Sequence, residues 1–456
     1  MNTTPCDILI TNIKILPAAG EKIIEDGFLA TRGGTIKLMG PMASMPAALS
    51  AAKTIEGHGQ LVMPGLINGH CHAAMTLFRG LADDLPLMTW LNDHIFPAEA
   101  ASVNSEMVYC CSQLAAAEMI LSGTTTVGDG YFLEEAAARA FCTAGLRAVA
   151  AQGIIDFPAP GVPDPSLSIE AARRYLNALP TNDLLIPALF CHSPYTCSPA
   201  TLLSARELAA EYNCRLFIHV SETKNEVLEH QKLHGLRPIE HLRKLGFLAE
   251  NTVCVHCVWP DSSEIAILAD SGCGVITCPE SNMKLGSGIA PVPAMLAAGI
   301  KTGLGTDGCA SNNDLNMWGE MDSLAKIHKA VTLDPTIMPA PVVLDMATRG
   351  GAAALGLNLG TLRPGMAADM IIIDLQQPHL TPFYGPDLLI YALRGAEVRH
   401  SIIGGKLVME NRQLLNIDIK AVMAAVNRLA ELHNQPLGEG DNGENDFGQD
   451  AGIKKH

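Results

Sequence analysis

The sequence predicts an α/β protein: a (β/α)8 barrel of the TIM type with a small discontinuous β-sandwich domain formed by the N- and C-terminal segments. Two observations carry this. Between residues 61 and 365, continuous apolar runs alternate with Ala-rich helical stretches, as parallel strands buried on both faces and joined by helices should. On either side, the texture changes to short alternating strands punctuated by glycine. A chain of 456 residues is too long for one ordinary domain and suits a large barrel with a small companion.

Residues 1–60 hold "DILITNIKIL", "GFLATRGGTIKLMG" and "KTIEG", which read as antiparallel strands of the sandwich. Eight barrel strands follow within residues 61–365. They are Met63–His72, Thr124–Gly130, Arg147–Ile155, Leu185–His192, Arg215–Glu222, Thr252–Cys257, Gly274–Pro279 and Lys301–Asp307. Helical patterns such as "SPATLLSARELAAEYN" separate them. Residues 366–432 return to the sandwich through "GMAADMIIIDL" and "VRHSIIGGKLVME", then end in a helix. Residues 433–456 are polar, Gly-rich and acidic, the composition of a mobile tail.

The formal charge is −16 and no Lys/Arg cluster interrupts it, which argues against nucleic acid as a partner. A small neutral or cationic substrate fits better. The 13 cysteines are odd in number, and Cys191, Cys254, Cys273 and Cys278 sit inside apolar runs. Reduced, buried thiols in a cytoplasmic protein are expected. The start, "MNTTPCDILI", lacks the charged and apolar regions of a signal peptide. No apolar run reaches the roughly 20 residues of a membrane span. A homo-oligomer is left open, because barrels of this kind often pair with themselves.

Chemistry in such a barrel sits at the C-terminal ends of the strands. Strand one ends in His70-Cys71-His72, strand four at His192, and strand five in "IHVSE", with His219 and Glu222. Strand six ends at His256 and strand eight at Asp307. Residues two apart on a strand share a face, so His70 and His72 should project together and Cys71 away from them. His219 and Asp307 would complete a nitrogen/oxygen donor set with room for a water, the pattern of a catalytic metal. Glu222 is placed to shuttle protons and His256 to orient the water, while Asp307 can both bind metal and accept a proton. Cys254 and Cys257 should face opposite ways as core packing. His58, His230, His234 and His400 read as surface groups, and Asp83-Asp84 and Glu134-Glu135 as solvated faces or caps.

The stretches "PGLINGHCHAAMTLFRG", "HSPYTCS", "IHVSET", "VHCV", "NMKLGSGIAPV" and "LGTDGCASNNDLNMWGEM" resemble the amidohydrolase superfamily. Within its deaminase/chlorohydrolase branch, they are similar to the 5′-methylthioadenosine/S-adenosylhomocysteine deaminases. The resemblance spans nearly the whole chain. It implies hydrolytic deamination of an adenine nucleoside to its inosine analogue. It also implies one divalent metal, most simply zinc with iron or nickel as alternatives, on His70, His72, His219 and Asp307. By the same resemblance Glu222 protonates the purine N1, His256 assists the water, His192 touches the ring, Glu99 binds the ribose hydroxyls and Trp90 lines the pocket. Binuclear relatives bridge two metals with a carbamylated lysine, but no lysine occurs between Lys53 and Lys224. Gln152 seats where some relatives carry an arginine for the homocysteine carboxylate, which tilts the expectation toward methylthioadenosine or adenosine.

Three other readings compete. A relative acting on guanine, another heterocycle or a chlorotriazine would use the same metal set without needing Glu99. A catalytically dead barrel acting as a scaffold would bind no metal. A nucleic-acid-editing deaminase would need H-x-E and P-C-x-x-C, and the sequence has neither.

Overall fold

The computed structural model describes residues 4–179 and 182–433. The tail expected at residues 433–456 lies, but for His433, outside the described residues. Two sheets organise the chain. The first is built by β1 (Thr4–Ile15), β2 (Ile24–Arg32), β3 (Thr35–Pro41), β4 (Leu49–Glu56) and β5 (Gln60–Pro64). The second holds β6 (Leu66–Cys71), β7 (Thr124–Tyr131), β8 (Arg147–Ile154), β9 (Leu185–Cys191), β10 (Arg215–Val220), β11 (Thr252–His256), β12 (Gly274–Thr277) and β13 (Lys301–Leu304). The chain then returns to the first sheet through β14 (Met370–Asp374), β15 (Val398–Ile403), β16 (Lys406–Glu410) and β17 (Gln413–Leu414).

The two chain ends meet where β5 pairs antiparallel with β14, Leu61 opposite Ile373. The result is one nine-stranded mixed sheet folded over a core of its own, with Ile10, Ile36, Val62, Ile372 and Ile402 inside. Period-two alternation explains why "MIIID" is apolar throughout. Met370 and Ile372 enter that core, while Ile371 and Ile373 pack on the barrel's outer layer. Leu61 and Met63 likewise face the barrel while Val62 faces the small core. This two-sided burial imitates a barrel strand, so the expected single strand Met63–His72 is in fact two. The break falls at Gly65, and the barrel begins at Leu66.

From the second strand on, each barrel strand starts at the expected residue. Several end earlier, because the polar residues at their tips leave the ladder. The strands run parallel in sequence order from β6 to β13. Ile67, Val149, Phe190, Phe217, Val253 and Ile276 fill the interior.

A side chain makes the join between β13 and β6. Asn68 donates from Nδ2 to Thr306 Oγ1 at 2.7 Å and accepts from Thr306 N at 3.0 Å. Just above, Asp307 N donates to His70 O at 3.0 Å. Gly305 permits the approach: a Cβ there would lie 2.7 Å from His70 N, closer than packed atoms allow. Asn68→Ala strands the buried Thr306 N–H. It should lower stability by about 1–3 kcal/mol, read from urea unfolding midpoints.

Candidate active site

The upper ends of the barrel strands open into a chamber of about 820 Å³ counting the open solvent at its mouth. His72, Trp90, Glu99, His192, His219, Glu222, His256 and Asp307 line it. His70 lies beneath, fully buried, its ring stacked on Phe190. The structure therefore gathers every site residue singled out above. Trp90 and Glu99 come from the helical segment after β6, in which Trp90–Ile95 is a π-turn.

Strand parity accounts for some of these positions and fails for others. Phe217 and His219 both point inward, as do Phe190 and His192. Ile67 also points inward, so parity would turn His70 out. The β6–β7 register slips between Asn68 and Cys71, and this slip resets the phase. His70 and His72 then point in, while Cys71 packs in the outer layer. Val255 points inward, so His256 should point out, but its φ of +68° reverses the chain. Ser221, with φ +53°, does the same for Glu222. Asp307 has φ +62°. Left-handed backbone at residues other than glycine is costly and persists where surrounding contacts enforce it. Here Glu226 supplies one such contact, accepting from Ser221 N at 2.8 Å and Glu222 N at 2.7 Å.

The donor atoms converge. His70 Nε2 is 3.3 Å from His219 Nε2 and 3.3 Å from Asp307 Oδ1, and His72 Nε2 is 3.3 Å from the same oxygen. Donors about 2.0–2.1 Å from a common ion stand about 3.3 Å apart in a tetrahedral set, so the residues fit a divalent metal. His256 is also near, since its ligand nitrogen lies within 4.8 Å of those of His70, His219 and Asp307. Its Nδ1 meets Asn282 Oδ1 at 3.0 Å. That bond needs a proton on Nδ1 and leaves the Nε2 lone pair facing the chamber, 3.9 Å from Glu222 Oε2. His72 Nδ1 is fixed by Gly130 O at 2.5 Å, which likewise leaves Nε2 for the centre. Asp307 Oδ2 accepts from Ser281 Oγ at 2.7 Å and Ser311 Oγ at 2.8 Å, so Oδ1 alone faces the imidazoles.

Electrostatics separates the carboxyls. Burial opposes charge on Asp307, but the His70 and His72 imidazoles close against it overcome this and hold the group well below its ordinary range. Burial raises Glu222, with His256 and Ser287 opposing. Burial pushes Glu99 up to about 7 against a 2.5 Å hydrogen bond from Tyr131 Oη. His192 falls to about 4 through burial and the neighbouring His72. Its Nδ1 lies 2.9 Å from Thr196 Oγ1.

Sequence reasoning missed the residues that hold this arrangement: Ser281, Asn282, Ser311, Glu226, Tyr131 and Thr196. The stretches "NMKLGSGIAPV" and "LGTDGCASNNDLNMWGEM" contain Asn282 and Ser311 but not Ser281, and no spacing rule picks out which hydroxyl reaches Asp307. Four readings need correction. Gln152 lies outside the chamber, where it accepts from Glu134 N and donates to Gly153 O; its identity therefore says nothing of the substrate's carboxylate. Glu134 is fully buried, with the Asp129 carboxyl beside it. Burial raises both carboxyls, which favours a proton held between them. Cys254 meets Cys257 and Cys273 in a thiol cluster, because left-handed His256 and Cys257 turn the chain back. Finally, His230 and His400 are buried.

A (β/α)8 barrel whose strand tips aim imidazoles and a carboxylate at one point defines a class, the metal-dependent barrel hydrolases. Residues 61–408 match the amidohydrolase family, and the chain belongs to that family. It is 45% identical over 434 residues to a protein of Syntrophobacter fumaroxidans named 5-methylthioadenosine/S-adenosylhomocysteine deaminase, covering 94% of this chain and 99% of that one. An adenosine deaminase from Xanthomonas campestris, solved with bound zinc, superposes with a TM-score of 0.91 at 35% identity, covering 95% of this chain and 99% of that one. Atrazine chlorohydrolase from Arthrobacter aurescens TC1, complexed with zinc, shares the fold at a TM-score of 0.86 and 24% identity, covering 93% and 100%.

The Tyr131 contact yields a direct test. Tyr131→Phe removes the hydrogen bond that favours charged Glu99, so the Glu99 titration should move above its midpoint of about 7. Carboxyl NMR of the two proteins reads the shift.

Proposed function

We propose that the chain is a hydrolytic deaminase of adenine nucleosides, with 5′-methylthioadenosine as the leading substrate and the inosine analogue and ammonia as products. The observation that carries it is Glu222. Its carboxyl is raised by burial, stands beside the His70/His72/His219/Asp307 donor set and faces the same chamber as Glu99. The first supplies a proton to a ring nitrogen, and the second an acceptor for ribose. The relatives' names point the same way.

One divalent metal on His70, His72, His219 and Asp307, zinc by analogy with the solved relatives, supplies Lewis acidity that makes water nucleophilic near neutral pH. The chain's own residues do the rest. Glu222 gives its proton to N1, drawing electron density from C6. His256, its lone pair fixed by Asn282, orients the incoming water. As the water oxygen bonds to C6, Asp307 and Glu222 take up the released protons and return one to the exocyclic nitrogen, and the C6–N bond breaks as ammonia leaves. His192 packs beside the ring, and Glu99 with Trp90 anchors the nucleoside so that C6 meets the water. Apolar walls from Leu87, Leu91, Phe132 and Ile155 suit a methylthio group, and no lysine or arginine is among the described residues lining the chamber.

Ammonia release from methylthioadenosine, S-adenosylhomocysteine, adenosine, adenine and guanine tests the reading. Nucleosides should exceed free bases, and preferred turnover of guanine would overturn it. Glu222→Gln should retain metal and lose about 10²–10⁴-fold in kcat. His72→Ala should lose metal while His256→Ala keeps it and loses activity, as metal analysis of the purified variants would show. Glu99 loses its charge as pH falls through about 7. KM for the nucleoside should therefore rise below that pH, and Glu99→Gln should flatten the dependence.

A further inference from the structure

Three imidazoles meet outside the chamber. His230 and His234 stand four residues apart on the helix Lys224–His234 and share a face. His241 reaches them from the next helix, Pro238–Lys244. The ring centroids are 4.4 Å apart for His230 and His234, 5.0 Å for His230 and His241, and 4.6 Å for His234 and His241. One ligand nitrogen of each lies within 4.8 Å of the other two, and His230 Nε2 is 2.9 Å from His241 Nδ1. We propose that His230, His234 and His241 form a second metal site on this protein, for a borderline divalent transition ion such as Zn²⁺, Cu²⁺ or Ni²⁺.

The bland alternative is a single N–H···N bond between His230 and His241. That leaves His234 packed against both rings without a hydrogen bond among the described residues. A common ion accounts for all three. Donors about 2.0–2.1 Å from such an ion stand about 3.3 Å apart. The His230–His241 pair, one ring buried and the other half-buried, is near that spacing already, and His234, being exposed, is free to close. An all-imidazole set excludes Ca²⁺ and Mg²⁺, which take oxygen ligands. Three protein ligands leave a fourth position for water. His230 and His234 line an open groove, so the ion has a way in.

The scaffold is already built. Gly235, with φ +70°, ends the first helix and turns the chain sharply. The start of the second helix is pinned: Arg237 donates from Nε to the buried Glu264 at 2.7 Å and from Nη2 to Trp259 O at 2.6 Å. Ile239 N also donates to Glu264, at 3.1 Å. The first helix is anchored at its own start by the Glu226 contacts to Ser221 and Glu222. An ion here ties together the two helices that follow β10 and the Glu222 turn at its tip. The proposal stands independently of the deaminase reading.

The test is metal stoichiometry. Full-length protein is equilibrated with excess zinc, freed of unbound ion by gel filtration and analysed by elemental mass spectrometry. The native chain should carry two equivalents, His234→Ala one, His72→Ala one, and the double variant none. One equivalent in the native chain, or two in His234→Ala, overturns the second site; loss confined to His72→Ala leaves the chamber site standing alone. Because His234 is exposed, its replacement does not threaten folding. Paramagnetic resonance of copper bound to the His72→Ala protein gives a second reading. Nitrogen hyperfine structure from three ligands should be present and should be lost in the double variant with His234→Ala.

Discussion

Closing the ring between the first and eighth strands is the constraint on which the rest depends. The ladder from β6 to β13 would leave a gap, and an open parallel edge exposes unpaired backbone. Asn68 fills it by mimicking a strand, donating and accepting at once to Thr306. Because Asp307 N then bonds to His70 O, the closure that completes the barrel also brings together ligands 237 positions apart in the numbering. Gly305 belongs to the same device, since any side chain there would strike the His70 backbone.

Given the ring, the chamber is made by reversals at strand tips. Regular strands deliver His192 and His219 inward by parity alone. Glu222, His256 and Asp307 occur at or just after left-handed residues. These conformations cost energy locally and are enforced by neighbours: Glu226 beneath Ser221 and Glu222, Asn282 beside His256, and Ser281 with Ser311 on Asp307. The site is thus assembled from strained positions held partly by the helix that follows the same strand, through Glu226 and Ser311, and partly by the neighbouring unit, through Ser281 and Asn282.

Three buried carboxyls in one chamber meet three different surroundings. Asp307 faces imidazoles and stays charged. Glu222 is raised by burial with weaker compensation, and Glu99 rests near about 7, where burial opposes Tyr131. Separating titratable groups by environment is how one cavity supplies a metal-facing anion, a proton carrier and a polar anchor together.

The sequence by itself determined the barrel, its companion sheet from both chain ends, and the strand-tip residues that meet in the chamber, while Glu99 and Trp90 came only through the family resemblance. Apolar runs, glycine punctuation and polar strand tips are local, periodic signals. It misled where locality failed. Leu61–Pro64 reads as barrel because burial on two faces looks alike whichever sheet provides it. Glu134 and His230 read as surface because nothing nearby in the chain announces a buried partner. Only the tertiary structure decided that His70 and His256 turn inward against their strand phase, that Gln152 faces away from the chamber, and that three surface-helix histidines converge. Each of these depends on a register slip, a positive φ or a contact between distant segments, and no periodicity in the chain encodes those.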